Sequence, residues 1–100
     1  MRTLEIYGQE FDSLKGFYKS LEPCLIVGEC PWGQNLDSLD EIVSCNFNYS
    51  DNKENDVNRI IWTDFQKSKT EIIEKRGDKT VIEIIEEIFN SNEMIEFIKK

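Results

Sequence analysis

The sequence predicts an α/β fold in which a small three-stranded parallel sheet packs with about four helices. Segments of strand and helix period follow one another as β, α, α, β, α, α, β along the 100 residues. Strands separated by helical crossovers must run parallel where they pair, which points to a small parallel sheet covered by helices. The chain is 39% hydrophobic with two prolines, enough for one compact core and too short for two. Residues 1–100 are therefore expected to form one domain.

"TLEIY", Thr3 to Tyr7, alternates around Leu4 and Ile6 and stops at Gly8, the pattern of a short strand entering a turn. Leu14, Phe17, Tyr18 and Leu21 recur at i, i+3, i+4 and i+7, so a first helix is expected over 13–21 with Asp12 as its cap. Residues 22–31, with Pro23, Gly28 and Pro31, read as a connecting loop. A second helix is expected over 33–43, with Leu36, Leu39, Ile42 and Val43 inward.

Residues 46–58, "NFNYSDNKENDVN", are rich in Asn, Asp and Ser without an apolar period, and read as a long surface loop. "RIIW" follows as a buried strand, with Trp62 in the core. Thr63 with Gln66 makes a capping-box pattern for a third helix, expected to end near Gly77. "DKTVIEIIEEIFNSN" has the clearest helical period: Val81, Ile82, Ile84, Ile85, Ile88 and Phe89 share one side, and Glu83, Glu86, Glu87 and Asn90 the other. "MIEFI", Met94 to Ile98, alternates like a last strand.

Twenty acidic residues against twelve basic ones leave a net charge of -8. A field of that sign repels nucleic acid and anionic membranes and draws in cations and basic proteins, so no direct nucleic-acid binding is expected. The N-terminus lacks a signal-length apolar run, and nothing approaches the roughly 20 apolar residues of a membrane span. The expected location is the cytoplasm. Cys24, Cys30 and Cys45 have no C-x-x-C spacing and are expected to be free thiols packed in the interior.

With no histidine in the chain, Ser-His and Cys-His nucleophiles are excluded, zinc is disfavoured, and no phosphate-binding glycine loop is present. Carboxylates remain, as an acid–base pair or as Mg²⁺ ligands. One helical turn of acids makes a poor octahedral cage, so neither enzyme activity nor a cofactor or metal is expected.

The second helix poses a question of its own. Asp37, Asp40 and Glu41 fall at about 0°, 300° and 40° around it, opposite the apolar side. No lysine or arginine lies along the helix, and Asp37 with Glu41 at i,i+4 opposes helix formation by a few tenths of a kcal/mol. A solvated acidic face is one reading. The other is an interface for a basic partner, with Trp32 of "PWG" as its aromatic anchor.

"WGQNLDSLDEIV" together with "IIWTDFQKSK" resembles the barstar family of intracellular ribonuclease inhibitors, in an order of elements that agrees along nearly the whole chain. The family motif is matched by Trp32, Gly33, Gln34, Asn35, Leu36, Asp37, Leu39 and Glu41. The resemblance implies a barstar-like parallel-sheet fold that places the acidic second helix and the preceding loop in a nuclease active site. It implies Asp37 and Glu41 as the two main acidic contacts and Glu87 as a peripheral acid, and Trp32, Gly33, Asn35 and Asp40 complete the expected partner-binding set. Asp40 stands where the family has a tryptophan, and Glu41 is one methylene longer than the family's aspartate. The partner implied is a basic, extracellular-type ribonuclease or toxin nuclease domain, met by an inhibitor or immunity protein that is monomeric when free. The alternative is an acidic interaction module for a basic partner that is not a nuclease.

Overall fold

The computed structural model describes residues 1–22, 26–28 and 32–100. Strand β1 (Arg2–Tyr7) leads through a 3-10 turn to helix α1 (Leu14–Ser20), and helix α2 (Leu36–Ser44) follows. Strand β2 (Val57–Thr63), helix α3 (Phe65–Glu71), strands β3 (Lys75–Arg76) and β4 (Lys79–Thr80), helix α4 (Val81–Asn90) and strand β5 (Glu96–Lys99) complete the order. The sheet is three-stranded and parallel, in the order β1-β2-β5, which is the α/β class that the sequence predicts.

Register puts Leu4, Ile60 and Phe97 in one row and Ile6 and Trp62 in another, on the face against the helices. The opposite face carries exposed Thr3, Glu5, Tyr7 and Arg59 and half-buried Ile61 and Ile98. Helices therefore cover one side of the sheet, where the strand pattern predicts cover without distinguishing the sides. Alternation in β1 already carries this difference, since a strand buried on both faces reads as a continuous apolar run.

Trp62 is fully buried at the centre of the core. Its ring stacks on Phe17 at 5.0 Å and 14° and meets Phe65 edge-on at 5.0 Å and 85°. Burying an indole N–H without a partner would be costly. Here Nε1 donates to Ser68 Oγ at 3.1 Å, which explains the buried hydroxyl on α3.

Several boundaries differ from the sequence reading. Ser13, not Asp12, caps α1, its hydroxyl accepting from the Gly16 N–H. Helix α2 starts at Leu36 because Asn35 is its cap, so Gly33 and Gln34 precede the helix. Thr63 does not cap α3, since its hydroxyl lies near the Ile6 carbonyl and Gln9, and Asp64 enters the helix in the left-handed region.

Helix α3 ends at Glu71, well before Gly77. That glycine, at φ 70, opens the two-residue Gly77-Asp78 turn of the β3–β4 hairpin. A Gly-Asp turn between short strands is a recognised hairpin signal, here overridden by reading the glycine as a helix stop. Strand β5 begins at Glu96, leaving Met94 exposed ahead of it.

The segment over 46–58 is anchored. Phe47 is fully buried, the strand begins at Val57, and Lys53–Asn55 forms a 3-10 turn. The Val27 N–H donates to the Phe47 carbonyl at 3.1 Å, and the Tyr49 N–H to the Val27 carbonyl at 2.6 Å. A single aromatic at a chain reversal leaves no period to detect, which is why composition alone gives a loop. Cys45 is a half-buried free thiol, whereas Pro23, Cys24, Cys30 and Pro31 lie outside the described residues.

Candidate functional groove between two helices

The entry to α2 is locked by short-range bonds. Asn35 Oδ1 accepts from the Ser38 N–H at 2.8 Å, and Ser38 Oγ accepts from the Gly33 N–H at 2.9 Å. A Cβ on Gly33 would lie 2.9 Å from Asn35 Nδ2, so a larger residue there would displace the amide of the capping asparagine. Trp32 is half-buried. Its Nε1 donates to the Tyr18 carbonyl at 3.3 Å, and its ring meets Tyr18 edge-on at 5.8 Å, which docks the residue on α1.

Helix α2 turns Leu39, Ile42 and Val43 into the core and leaves Asp37, Asp40 and Glu41 exposed. Beside it runs α4, which buries Val81, Ile82, Ile85 and Phe89. An open groove of about 390 Å³ lies between the two, lined by Asp37, Asp40 and Glu87 together with Leu36, Ile84 and Ile88. Asp37 and Asp40 are one turn apart on α2, and Glu87 reaches the same groove from α4. The structure thus brings together three of the four acids singled out in the sequence. Glu41 is exposed but does not line this groove.

Leu36, Ile84 and Ile88 read in the sequence as inward residues, and in the structure they are half-buried at the groove. They stand at the margins of their apolar stripes, where a helical wheel cannot separate core from cleft wall. Cations absent from α2 itself arrive from the β3–β4 hairpin. Lys79 pairs with Glu87, whose hydrogen bond and charge hold the lysine above its ordinary pKa. Sequence reasoning passed over Lys79, because it precedes the helix that carries its partner.

Among the described residues no group of three or more acidic or cysteine side chains is arranged to hold a metal ion. Among them, too, no helix is long and apolar enough to cross a membrane. Compared with models of known protein families and with curated proteins, the chain matches none.

Proposed function

We propose that the chain binds a basic protein through the groove between α2 and α4, and that this partner is a ribonuclease whose active site the acidic helix blocks. The observation that carries the reading is the gathering of Asp37, Asp40 and Glu87 from two helices around Leu36, Ile84 and Ile88. Carboxylates beside a short apolar wall suit a cation on an apolar stem, so an arginine or lysine can lay its methylenes on the isoleucines and its charge against the acids.

Ribonuclease active sites hold phosphates with such cations, and a face of carboxylates can occupy one in place of RNA. The net charge of -8 favours encounter with that partner. The barstar-like motif from Trp32 to Glu41 supports the partner class. In this reading the chain is an inhibitor or immunity protein, monomeric until it docks, acting in the cytoplasm without catalysis of its own. Trp32, Gly33 and Asn35 hold the loop that accompanies the helix, and Glu41 extends the acidic face.

Affinity capture with the wild-type chain and with Asp37→Asn tests the proposal. The expected partner is a small basic ribonuclease whose RNA hydrolysis stops at one equivalent of inhibitor. Asp37→Asn should weaken that complex by on the order of 2 kcal/mol or more, through a cation left desolvated and unpaired. A basic partner whose binding depends on Asp37 but which cleaves no RNA would replace this reading with that of a general acidic interaction module.

A further inference from the structure

On the other side of the first turn of α2 lies a second depression, of about 400 Å³, and Leu36 and Asp37 line both. Its far wall includes Leu14 and Tyr18 of α1 and Arg76 of the β3–β4 hairpin. Arg76 is exposed, and its Nη1 donates to the Lys75 carbonyl at 3.1 Å. Among the described residues ion pairs engage Arg59, Lys67, Lys79 and Lys99 and not Arg76, which shares its depression with Asp37.

The hairpin fixes the backbone position that carries this guanidinium. Arg76 stands opposite Lys79 in the antiparallel register, Lys79 is tied to Glu87, and the Val81 N–H closes the base on the Glu74 carbonyl at 2.8 Å. Burial raises the pKa of the Tyr18 phenol, against which Arg76 acts to lower it and Glu74 to raise it, so the cation stands close to this wall of the depression. The continuous surface is therefore not uniformly acidic. It carries a cation at the hairpin, then Asp37, then Asp40 and Glu87.

We propose that Arg76 is a specificity-determining residue of this docking surface, which fits a basic partner whose cationic patch is bordered by a carboxylate set against Arg76. The inference rests on the function proposed above and deepens it. A partner that is cationic across both depressions would press like charge on Arg76 in a contact that excludes water. A carboxylate at that point would instead accept from the planar fork of the guanidinium.

Isothermal titration calorimetry with synthetic peptides tests this. The probes are tetra-arginine peptides carrying at one end or the other either a glutamate or a glutamine. The measured quantity is the affinity ratio of the glutamate to the glutamine probe, which separates a local pairing from net charge. Arg76→Gln should lower that ratio about threefold or more for one of the two placements. Lys75→Gln, an equal loss of charge on the same strand but outside the depression, should leave it unchanged. Equal ratios in the wild-type chain and both variants would overturn the role of Arg76 while leaving the acidic groove standing. No measurable binding of any probe, or binding indifferent to Asp37→Asn, would overturn the groove and this inference together.

Discussion

Phe47 occupies the left-handed region at φ 55, directly after Asn46 at φ 58. For a bulky residue this conformation is strained by roughly 1–2 kcal/mol, so something must hold it. Two things do. The ring is completely buried, and the Asn46 side chain is gripped by Asn92 Nδ2 at 2.7 Å. Arg2 reinforces the reversal, its guanidinium donating to the carbonyls of Phe47 at 2.9 Å and Asn55 at 2.7 Å. Phe47→Ala should therefore cost about 3–5 kcal/mol, the usual range for emptying an aromatic site in a core. Urea denaturation with an unchanged m-value checks this. A loss under about 1 kcal/mol would mean that the ring does not anchor the segment, since alanine keeps the Cβ that strains this conformation.

Helix α4 owes its start to a reciprocal cap. Thr80 Oγ1 accepts from the Glu83 N–H at 3.1 Å, and the Glu83 carboxylate accepts from the Thr80 N–H at 3.2 Å. Thr80→Ala should cost about 1 kcal/mol. The backbone and hydroxyl bonds from Thr80 hold the Glu83 pKa below its ordinary value. A depressed folded value means that the stabilisation is present above the ordinary glutamate range and disappears as pH falls through the folded value. Glu83→Gln should flatten that part of the acid unfolding curve relative to the wild-type chain, and parallel curves would deny the carboxylate its role. This cap lies in "TVIE" and went unread, whereas the apolar stripes of α1, α2 and α4 and the parallel pairing of β1, β2 and β5 are readable as patterns. The third helix was not readable to its end, because Ile72 and Ile73 continue an apolar run that the chain splits between a buried and an exposed residue. Periodicity reports which side of an element is apolar, not where the chain turns. For the same reason the acids of the groove were legible on α2, whereas their meeting with Glu87 depends on how two helices pack across 50 residues of chain.

At the scale of the molecule, the longest dimension is 37 Å, whereas the Debye length at 0.1 M salt is only about 10 Å. A docking partner in physiological salt thus senses local patches more strongly than the net charge of -8. Association with a basic ribonuclease should slow as salt rises, and Asp37→Asn should reduce that salt dependence more than Glu54→Gln, which removes an exposed charge outside the groove. Stopped-flow rates at several ionic strengths decide the matter, and equal reductions from both variants would assign steering to the overall charge. The two tryptophans of the chain divide in a related way. Trp62 is sealed among Phe17, Phe65 and Phe89, whereas Trp32 is half-buried at the approach to the acidic helix. Their emission therefore answers separate questions: Trp62 should shift to the red only when the core opens, and Trp32 should shift to the blue when a docking surface removes its water. A Trp62→Phe chain keeps Trp32 as its sole indole, an optical gauge of docking beside the acidic helix.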